Sequence, residues 1–330
     1  MTTVIGTPTY TVTISSTRYP LTVEEYLIAS TTADTWGDAW PDLFGAYEEH
    51  RRLGCPPEDL ETVFDRRRPW RLQAARKLIT ETNRVLAPHG YRLVEQDEWP
   101  SCIPQSVPFS HALYQGEELL ASDLYLSPIA PISVNEAGDD FALLMPEGTA
   151  GSIFLRSGSL ERWMYSEQSE HAYTSPVFVG EDLITVKRDP LKGAREFTVW
   201  RGDEVDYTYT SPLQLAEYPV NTLRSWQGQW VLEIDEQVLV DGQSLNEQLG
   251  YDAIFQWRLL QGLPFYLFRE DGQVGISYDG EVLPRRYDAV LHNLCCGYAL
   301  FNPGGNERMV WFHAWRDGTW YFVEVGYYGD

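Results

Sequence analysis

The stretch from Glu270 to Val290 reads EDGQVGISYDGEVLPRRYDAV. It holds two Asp-Gly steps, Asp271-Gly272 and Asp279-Gly280, on either side of the alternating run Val274–Tyr278. Asp-Gly between alternating runs is a strong hairpin signal, because a type I′ turn needs positive φ at both central residues. The apolar run Phe265–Phe268 precedes the first turn, so the segment reads as successive antiparallel strands. The same order occurs earlier. Trp230–Ile234 and Gln237–Val240 lead to Asp241-Gly242 and then to Tyr251-Asp252-Ala253-Ile254. The two Tyr-Asp-Ala units, at 251 and 287, lie 36 residues apart. The pattern returns as Met309–Trp315, Asp317-Gly318 and Trp320–Val325. A period of this size marks solenoids, propellers or arrays, in which each strand group must stack on its neighbours.

The segment from Glu270 to Val290 resembles the WG-type β repeats, which carry a Trp-Gly in their first strand, then an Asp/Lys-Gly, then a Val-x-Pro-x-x-Tyr-Asp-x-Ile close. Val274 stands at the position of the family's usual Trp. The similarity is best over residues 230–326 and looser over 140–225. It implies a repeated β architecture and an interaction role, and it brings no catalytic residues with it.

Working outward, short alternating runs fill the chain after Trp99-Pro100, from His111–Tyr114 and Leu119–Leu126 through Phe141–Met145, Ser152–Leu155 and Val177–Val179 to Phe197–Trp200 and Val205–Tyr209. Aromatic residues at 14% suit pleated, half-buried surfaces. The expected fold is mainly β: a β-propeller of about five or six blades over residues 101–330, with an irregular sandwich or open array as the alternative. Residues 1–100 read as a small helical or α+β module. In it, residues 9–16 form a strand that joins a blade or pairs with 91–95. Leu21 to Ala29 form a short helix with Thr22 as its cap, and residues 36–54 are helical in part. The strongest helix is 70–87, with Leu72, Ala75, Leu78, Ile79, Val85 and Leu86 on one face, Pro69 at its start, and Pro88 and Gly90 at its end.

The chain is 330 residues long with a net charge of −23. Residues 1–100 carry 11 basic and 15 acidic side chains, and residues 101–330 carry 14 and 33. So negative a field repels nucleic acid and anionic lipid, and it fits a solvated acidic surface or a basic partner. Arg66, Arg67, Arg68, Arg71, Arg76 and Lys77 form the one basic cluster, read as a solvated face or a dock for the acidic part. The opening MTTVIGTPTYTVTIS has neither a charged n-region nor an apolar h-region, and no run is long enough to span a bilayer. A cytoplasmic location is the resulting expectation.

Signatures of chemistry are sparse. Cys55, Cys102, Cys295 and Cys296 form no CxxC, and adjacent Cys295-Cys296 read as small buried hydrophobes. No metal site or cofactor is expected. Gly-x-Ser-x-Gly, His-Glu-x-x-His, Walker A and Gly-x-Gly-x-x-Gly patterns do not occur. Among the acids, Asp235, Asp252, Asp288 and Glu324 read as turn and repeat-closing residues, with Asp252 and Asp288 bracing their repeats through backbone bonds. Trp311, Trp315, Trp320 and Tyr321 are the candidate ligand-binding set, able to stack on a sugar or a partner loop, although alternation puts half of them in the core. The expected function is a non-catalytic binding or scaffold protein with a protein partner. A carbohydrate-binding or carbohydrate-active propeller is the alternative, and a small-molecule ligand stays open.

Overall fold

The computed structural model describes residues 8–14, 20–30, 76–96, 110–126, 132–147, 151–164, 174–188, 195–212, 220–292 and 303–327. The stretch 36–54, Arg66–Arg68, Arg71 and all four cysteines lie outside the described residues. The chain divides into a central unit, Lys77–Glu98 with Pro108–Trp257, and a terminal unit, Met1–Arg76 with Trp99–Val107 and Arg258–Asp330.

Strands β1 (Tyr10–Ile14) and β2 (Leu21–Ser30) open the chain as an antiparallel hairpin. The short helix expected over 21–29 is therefore a strand. Leu21, Val23 and Glu25 are buried in alternation, and pairing on both sides of β2 overrides the local helix signal of Thr22, Glu24 and Glu25. Helix α1 covers residues 76–86 of the expected 70–87. A 3-10 turn, Ala87–His89, follows it, and Gly90 closes the turn at φ 80°. Asn83 serves as an extra strand residue, donating to the Leu93 carbonyl and accepting from the Leu93 amide at 3.0 and 2.7 Å.

The next sheet holds β3 (Tyr91–Glu95), β4 (Ser110–Gln115), β5 (Glu118–Tyr125), β6 (Ser133–Val134), β7 (Phe141–Glu147), β8 (Gly151–Arg156) and β9 (Ser159–Met164). With α1 it encloses a core of Leu86, Leu93, Leu113, Phe141, Ile153 and Leu155. Then come two four-stranded sheets in sequence order. One is β10 (Val177–Val179), β11 (Asp182–Arg188), β12 (Glu196–Arg201) and β13 (Glu204–Thr210). The other is β14 (Val220–Trp226), β15 (Gln229–Ile234), β16 (Gln237–Val240) and β17 (Gln243–Ser244), followed by a single-turn helix α2 (Leu245–Leu249). They share a core in which Ile184, Val186, Phe197 and Val199 meet Trp230, Leu232 and Leu239.

A third four-stranded sheet comprises β18 (Ala253–Leu260), β19 (Leu263–Glu270), β20 (Gln273–Tyr278) and β21 (Glu281–Tyr287). Its first strand carries the boundary between units, at Trp257 and Arg258. Last come β22 (Ala289–Val290), β23 (Gly304–Gly305), β24 (Met309–Arg316) and β25 (Thr319–Gly326). These join the N-terminal hairpin in one sheet of order β1-β2-β25-β24-β22, with β23 on β24. The first strands are thus sheet partners of the last. β1 and β2 therefore share a sheet with β22 to β25, and not with α1 and β3 of the expected module over 1–100, because β2 finds its second ladder on β25, from Thr22↔Gly326 to Ser30↔Thr319.

The protein is mainly β, built of several antiparallel sheets. The Asp-Gly turns form where the sequence places them: φ is 45° and 80° at Asp241-Gly242, 51° and 75° at Asp271-Gly272, 52° and 78° at Asp279-Gly280, and 52° and 74° at Asp317-Gly318. Gly242 is doubly constrained, since a Cβ there would come within 2.8 Å of the Tyr207 ring.

Trp230 is fully buried, and its indole N–H donates to Asp206 at 2.7 Å. Replacing it with alanine empties the shared core of the two middle sheets and leaves Asp206 with Arg201 as its partner in place of the indole and Arg201 together. The expected loss is about 3–5 kcal/mol, read as a lower urea midpoint at unchanged slope.

Candidate functional site

Glu25 is a heavily bonded charged side chain among the described residues of the terminal unit. Alternation along β2 puts it on the same face as Leu21 and Val23, and its exposure is 0%. Two arginines and a phenol converge on it. Arg285 donates from Nε to Oε1 and from Nη2 to Oε2, both at 2.8 Å. Arg316 donates from Nη1 to Oε1 at 2.8 Å and from Nη2 to Oε2 at 3.0 Å. Tyr287 Oη donates to Oε1 at 2.8 Å. Arg285 and Tyr287 are two apart on β21, so both side chains leave the strand on one face. Arg316 sits on the face of β24 that also carries Phe312 and Ala314.

Aromatic rings back both guanidiniums. Arg285 lies 3.8 Å from the Tyr10 ring centroid, and Arg316 lies 4.6 Å from that of Tyr321. Such stacking favours a desolvated cation. Tyr287 is itself edge-on to Phe312 at 5.9 Å. Next to it, Asp288 accepts the Asp317 amide at 3.0 Å and its own amide donates to the Trp315 carbonyl, so this acid braces its repeat as expected.

Burial pushes the Glu25 carboxyl up, but the bonds from Arg316, Arg285 and Tyr287, with the charge of Arg316, hold it below its ordinary value of 4.5. The bond to Glu25 raises Arg316 and Arg285 in return. Burial, then the Glu25 charge, raises the Tyr287 phenol well above 10.0. A carboxylate offers about four lone-pair sites, and five donors occupy them here. Glu25 therefore holds no proton to give and offers no open acceptor to a ligand. Its chemistry is that of a brace.

The central unit has a parallel arrangement. Glu233 on β15, 1% exposed, accepts Asn221 Nδ2 at 2.6 Å and the amides of Gln256 and Trp257 at 2.8 Å each. Gln256 sits at φ 57° within β18. The carboxylate thus holds a left-handed kink in the strand that follows its own sheet.

Trp311, Trp315 and Trp320 lie on one face of the terminal sheet, with Trp315 opposite Trp320 and ring centroids 5.2 Å apart. Their exposures are 2%, 7% and 2%, so they are core residues. Gly304 pairs with Trp311 so closely that a Cβ there would come within 2.5 Å of Nε1. Tyr321 points to the opposite face, beneath Arg316. The four candidate aromatics, half of which alternation assigns to the core, are thus split between two faces, because strand alternation separates Tyr321 from its neighbour Trp320. Glu324 is also buried, on the tryptophan face. Among the described residues, no group of three or more His, Cys, Asp or Glu is placed to hold a metal ion. No helix there is long and apolar enough to cross a membrane.

No family model matches the chain, and no curated protein matches it. Solved structures give distant likenesses. BBS1N in complex with ARL6DN has 9% identity and a TM-score of 0.29, over 67% of this chain and 73% of that one. The N-terminal domain of Nup159 has 14% identity and a TM-score of 0.26, over 67% and 72%. BamB from Moraxella catarrhalis has 10% identity and a TM-score of 0.21, over 70% and 95%. At these values none of the three says anything about what this chain binds.

The brace has a pH signature. Because the folded pKa of Glu25 is lowered, its contribution is complete above the ordinary value of 4.5 and is lost as pH falls through the folded value. Glu25→Gln is expected to lower stability at neutral pH by about 3 kcal/mol, since it leaves two guanidiniums facing a neutral amide. That gap should shrink in acid, where the wild-type carboxylate also protonates. Tyr287 has the opposite sign. Its contribution is full below 10.0 and is lost as pH rises through its raised folded value, so Tyr287→Phe should flatten the alkaline fall. Urea unfolding across pH reads both.

Proposed function

We propose that this chain is a non-catalytic binding or scaffold protein that meets a protein partner through the surface of its repeated hairpins. The observation that carries this reading is the chemistry of the hairpin tips. Glu117, Asp203 and Asp241 in the central unit, and Asp271, Asp279 and Asp317 in the terminal unit, are all exposed acids at tight turns. In four of these turns a positive-φ Asp-Gly pair fixes the backbone. The tips are rigid, polar and negative, which suits a basic protein surface. The buried glutamates Glu25 and Glu233 are already committed to internal bonds and offer little for catalysis.

A propeller-like build supports the reading. Three consecutive sheets each contain four strands in sequence order, and one sheet unites the first strands with the last. Four-stranded antiparallel blades present turns from many repeats. The carbohydrate alternative receives no such support, since three of its four aromatics are buried.

Binding of oligolysine peptides of graded length, followed by salt titration, tests the proposal. The expected result is affinity that rises with peptide length and falls with salt. Asn at 271, 279 and 317 tolerates the left-handed turn and removes the charge, and each such change should weaken binding about twofold. Turnover of any substrate, or a thermal shift by a sugar with none by the peptides, would overturn the reading.

A further inference from the structure

We infer that β1 is a pairing edge for a second copy of this chain, through an antiparallel β1–β1 contact about a twofold axis. Sheet edges are templates for pairing, and proteins usually guard them with charge, proline, bulges or brevity. Most of the other described edges carry one of these guards. β3 has Arg92 and Glu95, β9 has Glu161 and Arg162, and β14 has Arg224 and a register shift. β13 has Glu204 and Asp206 with a bulge opposite Val199 and Trp200. β18 has Arg258 and the kink at Gln256. β21 contains Pro284. β17 and β22 are two residues long, and β10 is three.

From Tyr10 to Ile14, β1 carries no charge, proline or register shift. Its sequence is YTVTI, and its register with β2 is continuous from Tyr10↔Glu25 to Ile14↔Leu21. Among the described residues no strand pairs with its outer edge. Residues 1–17 contain no charged side chain. In a chain of net charge −23, two copies meet here with no charged side chain on the pairing strand. Charge thus selects the occupant: a self-complementary neutral strand needs no opposite charge from its partner.

The backbone is suitably aimed. The Glu25 carbonyl faces β1, since it accepts the Thr9 amide at 2.7 Å. Tyr10 is the register partner of Glu25, so residues 10, 12 and 14 exchange bonds with β2. The N–H and C=O groups of Thr11 and Thr13 then point to the free edge. A twofold centred on Val12 sets Thr11 of one copy against Thr13 of the other and the reverse, giving about four ladder bonds. Exposed Thr11 and Thr13 also meet as cross-strand threonine pairs, a favourable combination.

Sedimentation equilibrium of the full chain up to about 1 mM tests the inference, with a weak dimer expected near 100 μM. Salt should tighten it, because screening relieves the repulsion of two acidic copies. Thr11→Lys places like charges across the twofold and should weaken the dimer at least about tenfold. Thr11→Pro removes only an outward-facing donor and should do the same, whereas Thr11→Val should keep the dimer. Unchanged thermal unfolding shows that each variant retains its fold; should the proline variant unfold, the lysine and valine variants decide. A wild-type chain that stays monomeric throughout, or a dimer indifferent to both Thr11→Lys and Thr11→Pro, would overturn the inference.

Discussion

A carboxylate taken fully out of water must be repaid by bonds, and Glu25 sets that condition for the whole terminal unit. Its five donors come from two other strands, β21 and β24, while its own backbone lies between β1 and β25. The residue therefore joins the start of the chain to residues 260 and 291 positions away. If β2 leaves β25, two guanidiniums and a buried phenol lose their acceptor at once. Coupling of this kind makes the hairpin part of the cooperative fold. Glu233 applies the same logic in the central unit, using backbone amides in place of arginines.

Both braces spend polar chemistry on architecture. At the hairpin tips the exposed charge is acidic, and the turns display it at fixed geometry. The buried tryptophans do the complementary task. Trp311, Trp315 and Trp320 fill one face of the terminal sheet, and glycine at 304 lets the chain approach the first of them.

Much of this frame could be read from the residues. Asp-Gly steps at 241, 271, 279 and 317 fixed turn positions because a left-handed pair has few alternatives, and each proved to be a turn. Alternating runs such as Met309–Trp315 and Trp320–Val325 became β24 and β25. β2 is not legible locally, since Thr22 followed by two glutamates imitates a helix start. What decides its state is a ladder with β25, some 300 residues away, which no local pattern displays. β14 was missed for a related reason: Asn221, Arg224 and Ser225 break the apolar alternation. The Glu25 brace was equally hidden. Arg285 and Arg286 look alike in sequence, yet one stacks on Tyr10 beside Glu25 and the other lies over Phe268. Register and facing sheets make that distinction, and neither is written locally. The four aromatics do not share one face, because strand alternation sets the neighbours Trp320 and Tyr321 on opposite sides of β25.

Amide hydrogen exchange along β1 and β2, compared between the wild-type chain and Glu25→Gln, tests the central claim most directly. In the wild type, the β2 amides and the inward-facing amides of Val12 and Ile14 should exchange only as fast as those of β24 and β25, because the hairpin opens with the sheet it completes. In Glu25→Gln, protection of β1 and β2 should drop well below that of β24. A hairpin that exchanges freely in the wild type, or one whose protection the substitution leaves unchanged, would contradict a buried carboxylate as the fastening between the two ends of the chain.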